Sequence, residues 1–456
     1  MDRQSQPVQP ADTVTEPAAN QFALLKSRRF LPLFLVQFLG AFNDQVYQKA
    51  FVALITYRLA DQLDIPIALL GIIASALFIL PFALITPSAG QLADRRDKAV
   101  LMRWIKAWEI AVMGMAVVGY YTQNVYWLYF VLFLMGAQSA MFAPIKYSVL
   151  PQYLHRDELM GGNGLVQGFT FLAIIFGTII GNELILREGG VLIVSCVVVG
   201  VAIIGFIASL FTPSAPPKTV QGKVDWFFPR AIWKLIAMCR KDPPAMRAIL
   251  AISWFWFVGA TFLSLLPAYA KEELGVNEGV LTVLLAGFSI GVAIGAISSE
   301  ALSRGRVSVN LPPVGALGLA IMAVELWFAT PPDPQPDAAL MDRAAFLSTF
   351  TGWRILIDFT VLAAFAGMYV TPLNAVLQSE APDERRASFV ACSNVVDSLL
   401  IVISAAVTGV LIAVGIPTAE TLVLVTLTAL PIAFLVARYA PETFLGRAAL
   451  SIWPRR

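Results

Sequence analysis

Twelve stretches of apolar residues, each long enough to cross a bilayer as a helix, follow one another along this chain in two sets of six. In the first half they run over 31–60, 68–92, 99–121, 125–149, 163–186 and 190–212. In the second they run over 247–270, 279–302, 309–330, 350–378, 387–413 and 417–438. Lipid offers no hydrogen bonds to a bare backbone, so segments of this kind are restricted to helices. The expected fold is therefore an all-α membrane protein of twelve transmembrane helices in two six-helix bundles. Composition agrees: with 58% apolar residues, 14% charged residues and a mean hydropathy of +0.74, 456 residues carry more hydrophobic surface than one soluble core could bury.

The domain layout follows. Residues 1–25, rich in Pro, Gln, Thr and Ala at their start, read as a disordered cytoplasmic tail, and they lack the pattern of a cleaved signal. Residues 26–212 form one bundle, the proline-rich stretch 213–246 a cytoplasmic linker, 247–440 the second bundle, and 441–456 a short cytoplasmic tail. Charge distribution supports the count. Lys26, Arg28, Arg29, Arg95, Arg96, Lys98, Arg156, Arg304, Arg306, Arg385, Arg386 and the cations of Lys218–Arg247 fall in loops on one side. Loops on the other side are mainly acidic, with Asp61, Asp64, Glu272, Glu273, Asp333 and Asp337. By the positive-inside rule both termini are expected to face the cytoplasm, and an even number of crossings is consistent with both ends lying on one side. Net charge is only +2 and says little about partners, and no nucleic-acid partner is expected; Cys196, Cys239 and Cys392 are spaced for neither metal nor redox chemistry.

Within this apolar background, polar residues at mid-membrane depth are the functional candidates. Asp44 lies thirteen residues into the first segment, roughly 20 Å along a helix. A carboxylate there is costly unless it meets water, a partner or a substrate. Gln37, Gly40, Asp44, Gln48 and Phe51 share one face at three- and four-residue spacing. Asn163, Gln167, Thr170, Gly177 and Gly181 make a second stripe; Asn394, Asp397 or Ser398, Ser404 and Thr408 make a third, and Asp397 is also deep. Such amides and hydroxyls serve equally well as hydrogen bonds between helices. Lys146 either reaches into a central cavity or snorkels to the interface. Arg354 and Asp358, four apart, read as a local pair, while Glu109, three residues after Lys106, is set aside as a substrate ligand.

Two blocks look like copies of one unit: Ala143-Pro144-Ile145-Lys146-Tyr147-Ser148 in the first half and Thr371-Pro372-Leu373-Asn374-Ala375-Val376 in the second. Repeated halves with a site between them are a common build of secondary transporters, and Asn374 joins the candidate substrate ligands.

The loop Gly90-Gln91-Leu92-Ala93-Asp94-Arg95-Arg96-Asp97-Lys98 resembles the gate motif of the major facilitator superfamily, with Asp97 where that family usually places Gly. The resemblance implies that Asp94 caps a neighbouring helix and that Arg95 and Arg96 help hold the inner gate. The second-half copy, Leu302-Ser303-Arg304-Gly305-Arg306, lacks the acid. Further blocks, Phe38-Leu39-Gly40-Ala41-Phe42-Asn43-Asp44, Ala143–Tyr147, Asn163-Gly164-Leu165 and Pro372–Gln378, resemble the lysophospholipid transporter family within that superfamily.

That resemblance implies flipping of lysophospholipids, chiefly lysophosphatidylethanolamine, to the inner leaflet of the bacterial inner membrane for reacylation, with Asp44 and Lys146 at substrate positions. An Arg that some members carry in the seventh segment has no match in Thr261–Leu266. Some relatives are fused to an acyltransferase and acyl-carrier-protein synthetase; here His155 has Met160 rather than an acid five places on, so any such enzyme is a separate polypeptide. The chain is expected to be a monomeric transporter without cofactor or metal. Asp44 suits the ammonium, Lys146 with Asn163 and Gln167 the phosphate, and Phe42, Phe51, Phe142 and Trp256 the acyl path. The rival expectation is a proton-coupled exporter of cationic drugs or other small solutes.

Overall fold

A computed structural model describes residues 21–59, 67–218, 223–303, 307, 310–331 and 340–437. Among the described residues twelve spans are present. In the first half they are Leu31–Tyr57, Ile67–Ala93, Lys98–Thr122, Val125–Ser148, Leu159–Ile185 and Gly190–Leu210. In the second they are Pro243–Ala268, Glu278–Ser303, Leu311–Ala329, Phe350–Glu380, Arg386–Ala413 and finally Thr418–Leu427, which continues after Thr428 as Ala429–Ala437. They are called spans 1 to 12 below. Ten are apolar enough to cross a membrane by length and composition alone; spans 1 and 3, which bury polar residues (Gln37, Asn43 and Gln48; Lys106 and Glu109), complete the set.

The ends of these helices follow from their sequences. Asp97, Asn124, Asp242 and Thr349 each accept a backbone N–H of the first turn of the span that follows. Prolines lie inside spans 2, 4, 7 and 10 (Pro81 and Pro87, Pro144, Pro267, Pro372). Within a bundle the bonds they free are taken up by neighbours: Thr86 Oγ1, for example, donates to the Ala140 carbonyl of span 4 at 3.3 Å.

Close helix contact rests on small residues. Spans 8 and 10 cross so tightly at Gly295 that a Cβ there would stand 1.8 Å from the Ala364 carbonyl oxygen. The second half is organised round one large apolar core, and the first round two, one towards each membrane face.

Two segments differ from the sequence expectation. The bundle begins before residue 26, because Gln21–Lys26 already form a 3₁₀ turn whose Gln21 Nε2 donates to the Ile297 carbonyl at 2.8 Å. The linker contains a helix, Phe228–Cys239. Its signal was the i, i+4, i+8 spacing of Ala231, Leu235 and Cys239, which are buried against the bundle. Residues 1–20, Arg304 to Arg306, the loop acids Asp61, Asp64, Asp333 and Asp337, and the tail from 441 lie outside the described residues.

Candidate functional site

Polar residues from spans 1, 3 and 4 meet inside the first half. Asp44 Oδ2 accepts a hydrogen bond from Ser139 Oγ at 2.5 Å, and Ser139 Oγ also lies 3.1 Å from Gln138 Oε1. Beside them Glu109 is the hub. Its Oε1 accepts from Asn43 Nδ2 at 2.9 Å, and its Oε2 from Lys106 Nζ at 2.5 Å and Gln138 Nε2 at 3.0 Å. Lys106 and Glu109 are 1% and 2% exposed, so this ion pair is wholly withdrawn from solvent. Gly40 makes room for it: a Cβ at that position would stand 2.7 Å from the Lys106 ammonium. Glu109 is thus saturated by protein donors, whereas Asp44 keeps Oδ1 buried without a partner. Of the acids in this cluster, Asp44 is the one with an oxygen left to offer.

Lys146 turns towards this cluster. It lies within electrostatic reach of Asp44, and its ammonium sits 4.9 Å from the centre of the Tyr147 ring. Of the two sequence alternatives, the inward one fits this placement. Tyr147 donates to Gln167 Oε1 at 2.6 Å and feels the charge of Asp397 from the other half, so Tyr147 stands where the halves face each other. Gln37 Nε2 donates to Thr170 Oγ1 at 3.0 Å, joining the first and second stripes.

Asp397 belongs to a separate cluster. Its Oδ1 accepts from Ser253 Oγ of span 7 at 2.5 Å. One turn before it, Asn394 leaves its Nδ2 buried without a partner. Asn374 donates to the Val370 carbonyl of its own helix, and Gln48 is buried in span 1. At the place in span 7 where the sequence lacks an Arg, Thr261 and Ser404 hydroxyls lie 2.7 Å apart.

The gate motif sits at the basic-loop end. Asp94 reaches from span 2 to the start of span 11, where Oδ1 accepts from Ala387 N at 2.8 Å and Oδ2 from Ser388 N at 2.9 Å and Ser388 Oγ at 2.6 Å. Burial pushes its carboxyl from the ordinary 3.8 up to about 6, against the pull of those three donors. Arg95 donates to the Gln91 carbonyl at 2.6 Å, and Arg96 is exposed. Asp97 accepts from Ala99 N, Ser214 Oγ and Ala215 N, so the residue that departs from the family pattern ties span 3 to the start of the linker.

Asn163 lies at this same end rather than with the acids. Asn163 and Gln378 exchange amide hydrogen bonds across the two halves at 3.0 and 2.7 Å. Next to them a Cβ on Gly164 would stand 2.6 Å from the Ala296 carbonyl oxygen of span 8. The halves are therefore shut together on the basic-loop side.

Two sequence readings are corrected. Arg354 does not pair with Asp358; it grips Glu325 of span 9 through Nε at 3.0 Å and Nη2 at 2.6 Å, and Asp358 Oδ2 is left without a partner. Phe51 lines no path, because it is fully buried edge-to-face against Tyr129, with ring centres 4.8 Å apart. The Lys106–Glu109 hub was missed as a unit, although its i, i+3 charge pair was visible.

The Major Facilitator Superfamily model matches residues 33–355. The chain is 25% identical to the lysophospholipid transporter LplT of Klebsiella pneumoniae (strain 342), over 86% of this chain and 91% of that protein. It is 23% identical to the LplT of Photorhabdus laumondii, over 87% and 92%. Among solved structures it resembles the transporter FucP in the outward conformation, with a TM-score of 0.66 and 17% identity over 91% of this chain and 99% of that one. A bacterial homologue of the iron transporter ferroportin in an outward-facing state gives a TM-score of 0.63 and 15% identity, over 90% and 98%.

Proposed function

The chain belongs to the Major Facilitator Superfamily, and from that premise we propose that this membrane transporter moves lysophospholipids such as lysophosphatidylethanolamine to the inner leaflet of the bacterial inner membrane. Both termini face the cytoplasm in this reading, and the basic-loop end is the inner gate, shut in the state described. The relatives named LplT support the substrate class. The observation that carries the mechanism is the unspent hydrogen-bonding capacity at the interior: an acceptor on Asp44, with the Lys146 ammonium within electrostatic reach, and a donor on Asn394 in the opposite half. A zwitterionic headgroup supplies what each lacks. Its ammonium pairs with Asp44, and its phosphate takes Lys146 and the Asn394 amide.

Alternating access then follows from the gate. With Asp94 on span 11 and Asn163 on Gln378, the halves close inward and the site is loaded from the outer side. Closure of the outer side must break these contacts in exchange for headgroup bonds made by both halves at once. Reacylation is the work of a separate acyltransferase.

The test is uptake of labelled lysophosphatidylethanolamine by vesicles holding wild type or Asp44→Asn, with and without a protonophore. Gradient-independent uptake that the substitution abolishes supports the proposal. Absence of uptake by well-folded wild type refutes it and leaves proton-coupled solute export, for which the two separately buried acids Asp44 and Asp397 are the favouring observation.

A further inference from the structure

The linker helix Phe228–Cys239 buries only one stripe. Ala231, Leu235 and Cys239 pack against the bundle, and Cys239 meets Cys392 of span 11. Away from that stripe Trp233 is 70% exposed, and Trp226 and Phe227, just before the helix, are 65% and 60% exposed. Four large aromatic groups within eight residues, counting Phe228, are thus left outside the protein. Cations are interleaved with them. Arg230 sits 5.7 Å from the centre of the Phe227 ring, and Lys223, Lys234, Arg240 and Lys241 are all exposed. Aspartates are few here: Asp225 is held by Lys234 at 2.6 Å, and Asp242 by the cap of span 7.

The height of this helix is fixed by its anchors. Asp225 accepts through its carbonyl from Ser88 Oγ at 2.7 Å and donates its N–H to Gln91 Oε1 at 3.1 Å, so the segment is stitched to span 2 one to two turns before the gate acid Asp94. Apart from Phe130 and Phe176, which face outward within spans 4 and 5, the strongly exposed aromatics elsewhere gather in two zones. One lies near the basic-loop ends of spans 3 and 6, at Trp104 and Phe211; the other lies at the opposite ends, with Tyr121, Tyr126, Phe328, Phe350 and Trp353. Aromatic girdles mark the two water–lipid interfaces of a membrane protein. Trp226, Phe227, Phe228 and Trp233 extend the basic-side girdle, with cations beside them.

We infer that the linker helix is an interfacial element that binds anionic headgroups of the adjoining leaflet, its aromatics entering the interface and Arg230, Arg240 and Lys241 meeting the lipid charge. Because its anchors are spans 2 and 11, the pair that Asp94 clamps, lipid bound there bears on the gate. The inference stands apart from the identity of the transported substrate.

The test uses the full chain with exposed Cys196→Ser and Trp233→Cys, labelled at 233 with an environment-sensitive fluorophore; Cys239 and Cys392 are buried. The protein is placed in nanodiscs of phosphatidylcholine with or without phosphatidylglycerol and exposed to a lipid-borne quencher or to aqueous iodide. Lipid quenching and protection from iodide should rise with phosphatidylglycerol. The variant Arg230→Gln/Arg240→Gln/Lys241→Gln, with an unchanged melting profile, should need more of it, by roughly fivefold for each cation lost. Equal iodide access in both discs overturns the inference, as does equal lipid quenching in both. Protection from both quenchers would show that a second copy or another protein covers this face, and overturns it as well.

Discussion

The Lys106–Glu109 pair gives the sharpest test of how the first half is held together. Both side chains are buried, and Glu109 takes bonds from Lys106, Asn43 and Gln138. Replacing Lys106 with Met leaves a carboxylate inside the bundle with two neutral donors, and replacing Glu109 with Gln leaves an ammonium without its counter-charge. Breaking a buried pair from one side costs about 3–5 kcal/mol. The double replacement leaves no stray charge. It forfeits the bond from Lys106 and weakens those from Asn43 and Gln138, which then meet a neutral amide, a loss on the order of 1–3 kcal/mol. The double variant should therefore be more stable than either single one, with a coupling of at least ~3 kcal/mol in the cycle. Equilibrium unfolding of the four purified proteins in one detergent measures it. Additive losses, or single variants within about 1 kcal/mol of wild type, would refute the reasoning that a desolvated ion pair organises spans 1, 3 and 4.

Asp94→Ala strips the start of span 11 of three acceptor contacts and should weaken inner-gate closure by about 1–3 kcal/mol, read as increased distances between spin labels at the ends of spans 2 and 11. Because burial raises the Asp94 carboxyl to about 6 in the closed state, closure binds a proton that the open state releases; acidification from neutral pH through about 6 should favour closure, and the effect should vanish in Asp94→Ala. Gln378→Leu removes both bonds that the buried Asn163 amide makes across the halves, leaving it only the Leu159 carbonyl of its own helix, and should open the same gate by about 1–3 kcal/mol, with Asn163→Leu/Gln378→Leu costing less than the sum of the single changes. Gly164→Leu, which drives a side chain into the Ala296 carbonyl, should hold the halves apart and expose Cys392 to thiol reagents from the basic-loop side; an unreactive Cys392 would contradict it.

Much of this protein could be read one segment at a time. Transfer of a helix into lipid depends on its own length and side chains, so the twelve crossings, the break between halves and the depth of Asp44 and Asp397 follow from local sequence. The role of Asp94 was legible only through the resemblance of its loop to the gate motif of the superfamily; which helix start it caps depends on how spans 2 and 11 pack. Which polar residues meet is another matter. It depends on how each helix is rotated and tilted, and that is settled by the small residues through which neighbouring backbones touch. Asn163 thus finds Gln378, 215 residues away, instead of joining the acids. Arg354 finds Glu325, 29 residues back, although Asp358 lies one turn along its own helix. Glu109 becomes a hub because spans 1 and 4 bring Asn43 and Gln138 to it. Sequence by itself determined that the chain crosses a membrane twelve times with acids in its interior, since solvation of each segment is a local property. Only the tertiary structure decided that Asp44 keeps an oxygen free while Glu109 does not, since that depends on donors delivered by other helices.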